Sequence, residues 1–311
     1  MKLLHPAWGL NDRQYYEDFG TSRFDWVGYY ALKTLLPCFA FSEADYVATG
    51  ERDYDRAIVS YAKRMGLHKR RSYILLTDGM WGGYYAVRKA KPFIIRELCK
   101  ARFALKNLYE LEKRTAGKRL RIAVHIRRGD FAAPVNSKGY QGLWNTRVPL
   151  NWYSNVCTEL RNKLGESACF VLVTDGTSEE LSEFIAEFEP VTSFDQEHRA
   201  CSELLFMAGA DALVCSISSF SMWAAFLSGA PYFWYFPHLQ ESNGFLTMWG
   251  DPISVRTESD VLPRGVPVAE DGRIPTRVIE YLKCKARLND VRTDLVQSGG
   301  VPAGSFSDVL H

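Results

Sequence analysis

Hydrophobic period divides the chain into two halves of different character. From residue 120 onward, short continuous apolar runs alternate with segments of helical spacing. Residues 120–126, 169–173, 212–215 and 232–236 read as strands, and residues 152–164, 178–188, 202–209 and 220–227 as helices. Uninterrupted apolar strands separated by helices are the pattern of a parallel sheet covered on both faces. Ahead of residue 120 the period is less distinct. A helix is predicted over 26–36, ended by Pro37; helical spacing returns at 57–65; and Tyr73-Ile74-Leu75-Leu76 reads as a strand before the turn signal Asp78-Gly79. Residues 92–112 carry apolar positions at helical intervals, enough for one or two helices, and Gly117 stops the run.

The chain's 311 residues suffice for two domains of ordinary size. A boundary is expected near residue 118, with an N-terminal lobe over 1–118, a second lobe over 119–290 and a tail over 291–311 that is rich in Gly, Ser and Pro from 298 to 307. A net charge of +2 gives no global field for nucleic acid, so an anionic ligand has to be held by a local group of arginines. Seven cysteines, an odd number without CxxC spacing, argue against a zinc site and a disulfide framework and fit a reducing compartment. The N-terminus carries no signal-peptide pattern. The most apolar stretch, 220–237, is broken by Ser221, Ser228, Gly229 and Pro231 and is too short to span a bilayer. A cytoplasmic protein without a membrane span is the expectation.

Two strand ends concentrate chemistry. His125-Ile126-Arg127-Arg128-Gly129-Asp130 puts two guanidinium groups where a strand runs into a glycine turn, at the edge where open α/β sheets bind ligands. Arginine suits a diphosphate because its planar fork stays charged and donates several hydrogen bonds at fixed geometry. By strand alternation only one of the pair faces a given cleft. An arginine pair bridged to surface carboxylates is the competing reading. At the second strand end, Cys215-Ser216-Ile217-Ser218-Ser219 opens a helix, so free backbone N–H groups and the serine hydroxyls offer an anion site on the same edge. Ordinary helix capping is the commoner role for such serines. Trp81-Gly82-Gly83-Tyr84-Tyr85 offers aromatic faces to a sugar, with packing between lobes as the alternative. Asp53-Tyr54-Asp55 is formally a metal-holding DxD, but it precedes a helical run and reads as that helix's N-terminal charge.

Taken together, His125-x-Arg127-Arg128-x-Asp130, Val173-Thr174-Asp175-Gly176 and the segment from Glu203 through Asp211 to Ser219 resemble the fucosyltransferase superfamily that uses GDP-fucose without a metal. That superfamily comprises α1,2-, α1,6- and protein O-fucosyltransferases. Phe220-Ser221-x-Trp223 is similar to the α1,2 branch, whereas Ala210-Asp211 through Ser219 looks equally like the α1,6 branch.

The resemblance implies an α/β fold of GT-B type: two Rossmann-like lobes with the donor cleft between them. It also implies inverting, metal-independent transfer of fucose from GDP-fucose to a glycan acceptor hydroxyl, with no cofactor. Carried over, Arg127 holds the β-phosphate, His125 and Arg128 lie near the donor, and Glu203 reads the guanine, whose N1–H and 2-amino group are paired donors. Asp175, Ser216, Ser218 and Ser219 complete the donor site. Trp81 and Tyr84 belong to a carbohydrate acceptor site. Asp130 is the nearest candidate base, with capping of the turn or orientation of Arg127 as its other reading, and Asp12, Glu17 and Asp25 of the first lobe are the alternatives. A non-catalytic GDP-sugar or glycan binder, or a transferase for another GDP-sugar, stays open, as does the oligomeric state. The superfamily's N-terminal glycine-rich turn is not recognisable in this chain, and Ile217 stands where the α1,2 branch commonly has asparagine.

Overall fold

A computed structural model describes residues 9–10, 13–14, 23–77, 83–133, 146–236, 241–242, 245–246 and 265–297. Its strands are β1 (Gly9–Leu10), β2 (Arg13–Gln14), β3 (Cys38–Ala40), β4 (Ile74–Leu76), β5 (Leu120–Ile126), β6 (Ala168–Thr174), β7 (Val191–Thr192), β8 (Ala212–Val214), β9 (Tyr232–Tyr235), β10 (Glu241–Ser242), β11 (Phe245–Leu246) and β12 (Gly265–Val268). The α-helices are α1 (Arg23–Leu35), α2 (Glu43–Thr49), α3 (Tyr54–Arg64), α4 (Gly83–Ala86), α5 (Lys91–Leu98), α6 (Ala104–Arg114), α7 (Leu150–Leu164), α8 (Ser182–Phe188), α9 (Ala200–Gly209), α10 (Ser219–Leu227) and α11 (Thr276–Gln297).

Six strands form one fully parallel sheet in the order β12-β9-β8-β5-β6-β7. Renumbered from β5, this is 6-5-4-1-2-3, the order of a doubly wound nucleotide-binding sheet. The switch point, where successive crossovers leave in opposite directions, falls between β5 and β8. The apolar runs explain the layering. β5 has six of its seven residues buried, as a central strand covered on both faces must. Residues of α6, α7, α9, α10 and α11 share one core with the sheet strands, filled by large side chains such as Trp152, Tyr153, Phe206, Phe233 and Trp234.

The N-terminal region is built on a smaller scale. Among the described residues its parallel sheet has two strands, β3 and β4, over a small separate core of Phe41, Ala57, Tyr61, Ala62 and Leu67. Leu98, Ala104, Leu108 and Leu111 of α5 and α6 belong instead to the large core. The hydrophobic interior therefore continues across residue 118, where the sequence suggested a boundary. Residues 92–112 form two helices because the chain turns at Phe103, held in the left-handed region at φ 59°. Among the described residues no helix is long and apolar enough to cross a membrane.

Asp211 anchors the start of the central strand. Its buried carboxylate accepts the Arg121 N–H at 2.7 Å and pairs with Lys285 of α11 at 3.0 Å, while its own N–H donates to the Arg121 carbonyl at 2.8 Å. Replacing Asp211 with Ala strands these partners and is expected to cost about 2–3 kcal/mol. Urea denaturation checks this as a lower midpoint at unchanged slope.

Candidate functional site

β5 and β8 are neighbours in the sheet, with Val124 opposite Val214, so the segments that follow them emerge side by side at the switch point. After Ile126 the chain makes a tight turn in which the Phe131 N–H donates to the Arg128 carbonyl at 2.9 Å. One carboxylate from the next strand end fixes this turn. Asp175 Oδ1 accepts the Arg128 backbone N–H at 2.7 Å, and Oδ2 pairs with Arg127 Nη1 at 3.0 Å. A Cβ at position 129 would overlap Asp175 Oδ2, so glycine there is a condition of the clamp.

The two arginines separate as strand alternation requires. Arg127 lies across the Phe131 ring, its guanidinium carbon 5.3 Å from the ring centroid, and its Nη2 donates to Asp130 Oδ1 at 2.7 Å. Arg128 is buried, 3.9 Å from Glu180 and close enough to Tyr153 of α7 for its charge to act on that hydroxyl. Arg147 holds Glu180 in place at 2.9 Å. Of the pair, Arg127 is the one at the opening, with 21% of its side chain exposed.

The β8–α10 turn is bonded to β5 through two side chains. The Ser216 N–H donates to Ser221 Oγ at 3.1 Å, and Ser221 Oγ lies 2.6 Å from His125 Nδ1. Burial, reinforced by the Arg127 charge, lowers the His125 pKa to about 3, so the ring is neutral across the physiological range. His125 thus lies beneath the turn as a neutral strut, packed on Phe220. Ser218 caps α10 by accepting the Phe220 N–H at 3.1 Å, and Ser219 is exposed at the helix start.

Buried polar atoms at this edge without a hydrogen-bond partner among the described residues include Arg127 Nε, Ser216 Oγ and the Tyr153 hydroxyl. Tyr153 and Ser216 lie close enough to interact but lack hydrogen-bond geometry. Even a mutual bond would use only one of their two protons. Buried donors without acceptors are uncommon and mark strain or a ligand site.

Glu203 sits deeper, 5% exposed, rather than on an open helix face. Its Oε1 accepts a short hydrogen bond from Ser193 Oγ and pairs with Arg199 Nε at 3.3 Å. Burial raises its pKa to about 7; the Ser193 bond and the Arg199 charge pull it down, and Asp175 pushes it up. Sequence reasoning passed over Arg199 and Ser193, although Arg199 and Glu203 stand at the i, i+4 spacing of a helical ion pair.

Other expected residues lie elsewhere. Tyr84 is buried edge-on to Trp223 and tilted against Phe226, which makes it part of the core and not a platform for a sugar. Trp81 lies outside the described residues. The Asp53 carboxylate is taken by Arg88 at 2.6 Å and Lys89 at 2.8 Å, an ionic contact between the small core and the segment leading into the large one.

The model of a family described as glycosyl transferase family 11 matches residues 78–236, more than half of the chain. No curated protein matches. A solved structure of the wall teichoic acid polymerase TagF is similar at 14% identity over 67% of this chain, with a TM-score of 0.33. This chain spans 50% of that one.

The Glu203 environment has a signature in stability. Between pH 4.5 and about 7 the folded state keeps a proton that the unfolded chain releases, so this contribution is full below pH 4.5 and is lost as pH rises through 7. Chemical denaturation of wild type and Glu203→Gln across pH 5–8 is expected to show a downward slope in wild type that the variant lacks. The difference is bounded by about 3 kcal/mol.

Proposed function

The chain belongs to glycosyl transferase family 11, the α1,2-type branch of the resemblance, and on that premise we propose that it transfers fucose from GDP-fucose to a glycan hydroxyl with inversion and without a metal. The observation that carries this reading is the set of unmatched donors at the switch point, Arg127 Nε and Ser216 Oγ, beside the N-terminus of α10. In a doubly wound sheet this crevice is where a diphosphate binds, and helix N-termini favour anions there.

In the proposed reaction the acceptor oxygen attacks the anomeric carbon as the bond from that carbon to the β-phosphate oxygen breaks. The hydroxyl proton goes to a base, and GDP leaves carrying the bond's electron pair. Charge accumulates on the diphosphate, so a fixed cation there lowers the barrier. Arg127 supplies it. Asp130 and Asp175 hold its terminal nitrogens, which orients the guanidinium, and the 2.7 Å bond from Arg127 supports the orienting role for Asp130. Ser218, Ser219 and the free N–H groups of α10 complete the phosphate side. Glu203 reads the guanine, and the acceptor carbohydrate approaches from the N-terminal region.

Thermal shift and GDP release test the proposal. GDP is expected to stabilise the protein where UDP does not, and GDP-fucose turnover is expected to survive EDTA. Arg127→Ala should leave the circular dichroism spectrum intact and reduce kcat/KM by roughly 10²–10³-fold. Stabilisation by UDP in place of GDP, or near-normal turnover by Arg127→Ala, would overturn the reading.

A further inference from the structure

Arg199, at the start of α9, has no part in the reaction described above, yet its guanidinium joins three segments. Nε pairs with Glu203 Oε1 at 3.3 Å, Nη2 donates to the Thr174 carbonyl at 2.8 Å, and Nη1 donates to the Ser193 carbonyl at 3.4 Å. The group also lies over the Phe194 ring, 5.4 Å from its centroid. The body of α9, the end of β6 and the segment after β7 are thereby held by one planar fork. Ser193 closes the circuit, because its hydroxyl donates to the same Glu203 oxygen that Arg199 holds.

The β6 end makes this arrangement more than a local brace. Thr174 is bonded in sequence to Asp175, whose carboxylate grips both Arg127 and the Arg128 N–H. The Thr174 hydroxyl donates to the Ile126 carbonyl at 2.6 Å, directly before Arg127, and accepts the Gly176 N–H at 2.9 Å. An unbroken series of directed contacts therefore runs from Glu203 through Arg199 and Thr174–Asp175 to Arg127. The links range from an ion pair at 3.3 Å to a hydrogen bond at 2.8 Å, and a lysine at 199 could not reach all three partners from one ammonium in this arrangement.

We propose that Arg199 is a positioning residue that couples recognition of the donor's base at Glu203 to the placement of Arg127 at the diphosphate, so that a wrong base loosens the grip on phosphate. This rests on the GDP-sugar reading. If Glu203 accepts from guanine N1–H and its 2-amino group, the carboxylate has to keep a fixed plane, and Arg199 with Ser193 fixes it from behind. The same guanidinium fixes the strand end that carries Asp175.

Calorimetric titration of wild type, Arg199→Gln, Arg199→Lys and Glu203→Gln with GDP, inosine diphosphate, GMP and UDP tests the idea. Inosine lacks the 2-amino group, so the GDP/inosine diphosphate ratio reports base reading, and the GDP/GMP ratio reports the grip on the β-phosphate. Wild type is expected to favour GDP over inosine diphosphate by about tenfold or more. Arg199→Gln should lower both ratios, each by about fivefold or more. Should that variant fail to fold, Arg199→Lys, which keeps the charge but not the fork, carries the same expectation.

Loss of the base ratio with an unchanged GDP/GMP ratio would overturn the coupling, as would retention of both ratios with only a lower melting temperature. If wild type does not prefer GDP to UDP, the donor reading falls and the coupling falls with it. Preference for GDP in wild type, with unchanged ratios in both Arg199 variants, overturns the coupling alone.

Discussion

Asp175 divides its two oxygens between unlike partners, a backbone N–H and a guanidinium on consecutive residues, and the layout of the sheet edge follows from that division. The bond to the Arg128 N–H fixes the path of the chain as it leaves β5. The bond to Arg127 keeps its side chain at the opening while Arg128 turns inward toward Glu180 and α7. Without a carboxylate at that point the two cations would be adjacent charges on a loose turn. With it, one of them becomes an oriented group at the switch point of a doubly wound sheet.

A second level of order lies beneath. His125, kept neutral by burial, and Ser221 join the β8 turn to β5, so the serine-rich start of α10 is fixed relative to the arginine turn. Polar groups in such a setting are costly when unmatched. The edge nevertheless retains Arg127 Nε, Ser216 Oγ and the Tyr153 hydroxyl without hydrogen-bond partners among the described residues. Each of the three can donate a hydrogen bond, which suits an anionic ligand.

Much of the large core was legible in the sequence, because parallel strands buried on both faces must be continuous apolar runs. The strands at 120–126, 169–173, 212–215 and 232–236 follow that rule to within a residue or two. Where the reading failed, competing physics is visible. Residues 178–181 form a turn ahead of α8, in which Thr177 Oγ1 accepts the Glu180 N–H and the Ser182 N–H returns to the Glu179 carbonyl. β12 contains Pro267, which argues against a strand, yet it pairs only with β9 at the sheet edge, where a missing N–H is tolerated. α11, long but with charges distributed around it, passed unread. At the site, the positions of Arg127 and the serines could be read because strand ends are visible in sequence. The burial of Glu203 and Tyr84, and the part played by Arg199, depend on contacts between segments far apart in the chain and left only faint local signals.

The closeness of Gly129 to Asp175 has a consequence for comparison among related chains. A side chain at the first position and a carboxylate at the second occupy the same volume, so the two exclude one another. A side chain at position 129 is therefore admitted only once position 175 has lost its carboxylate, so change at the first position waits on change at the second. Covariation between these two columns, 46 residues apart in sequence, would record the clamp without reference to any structure.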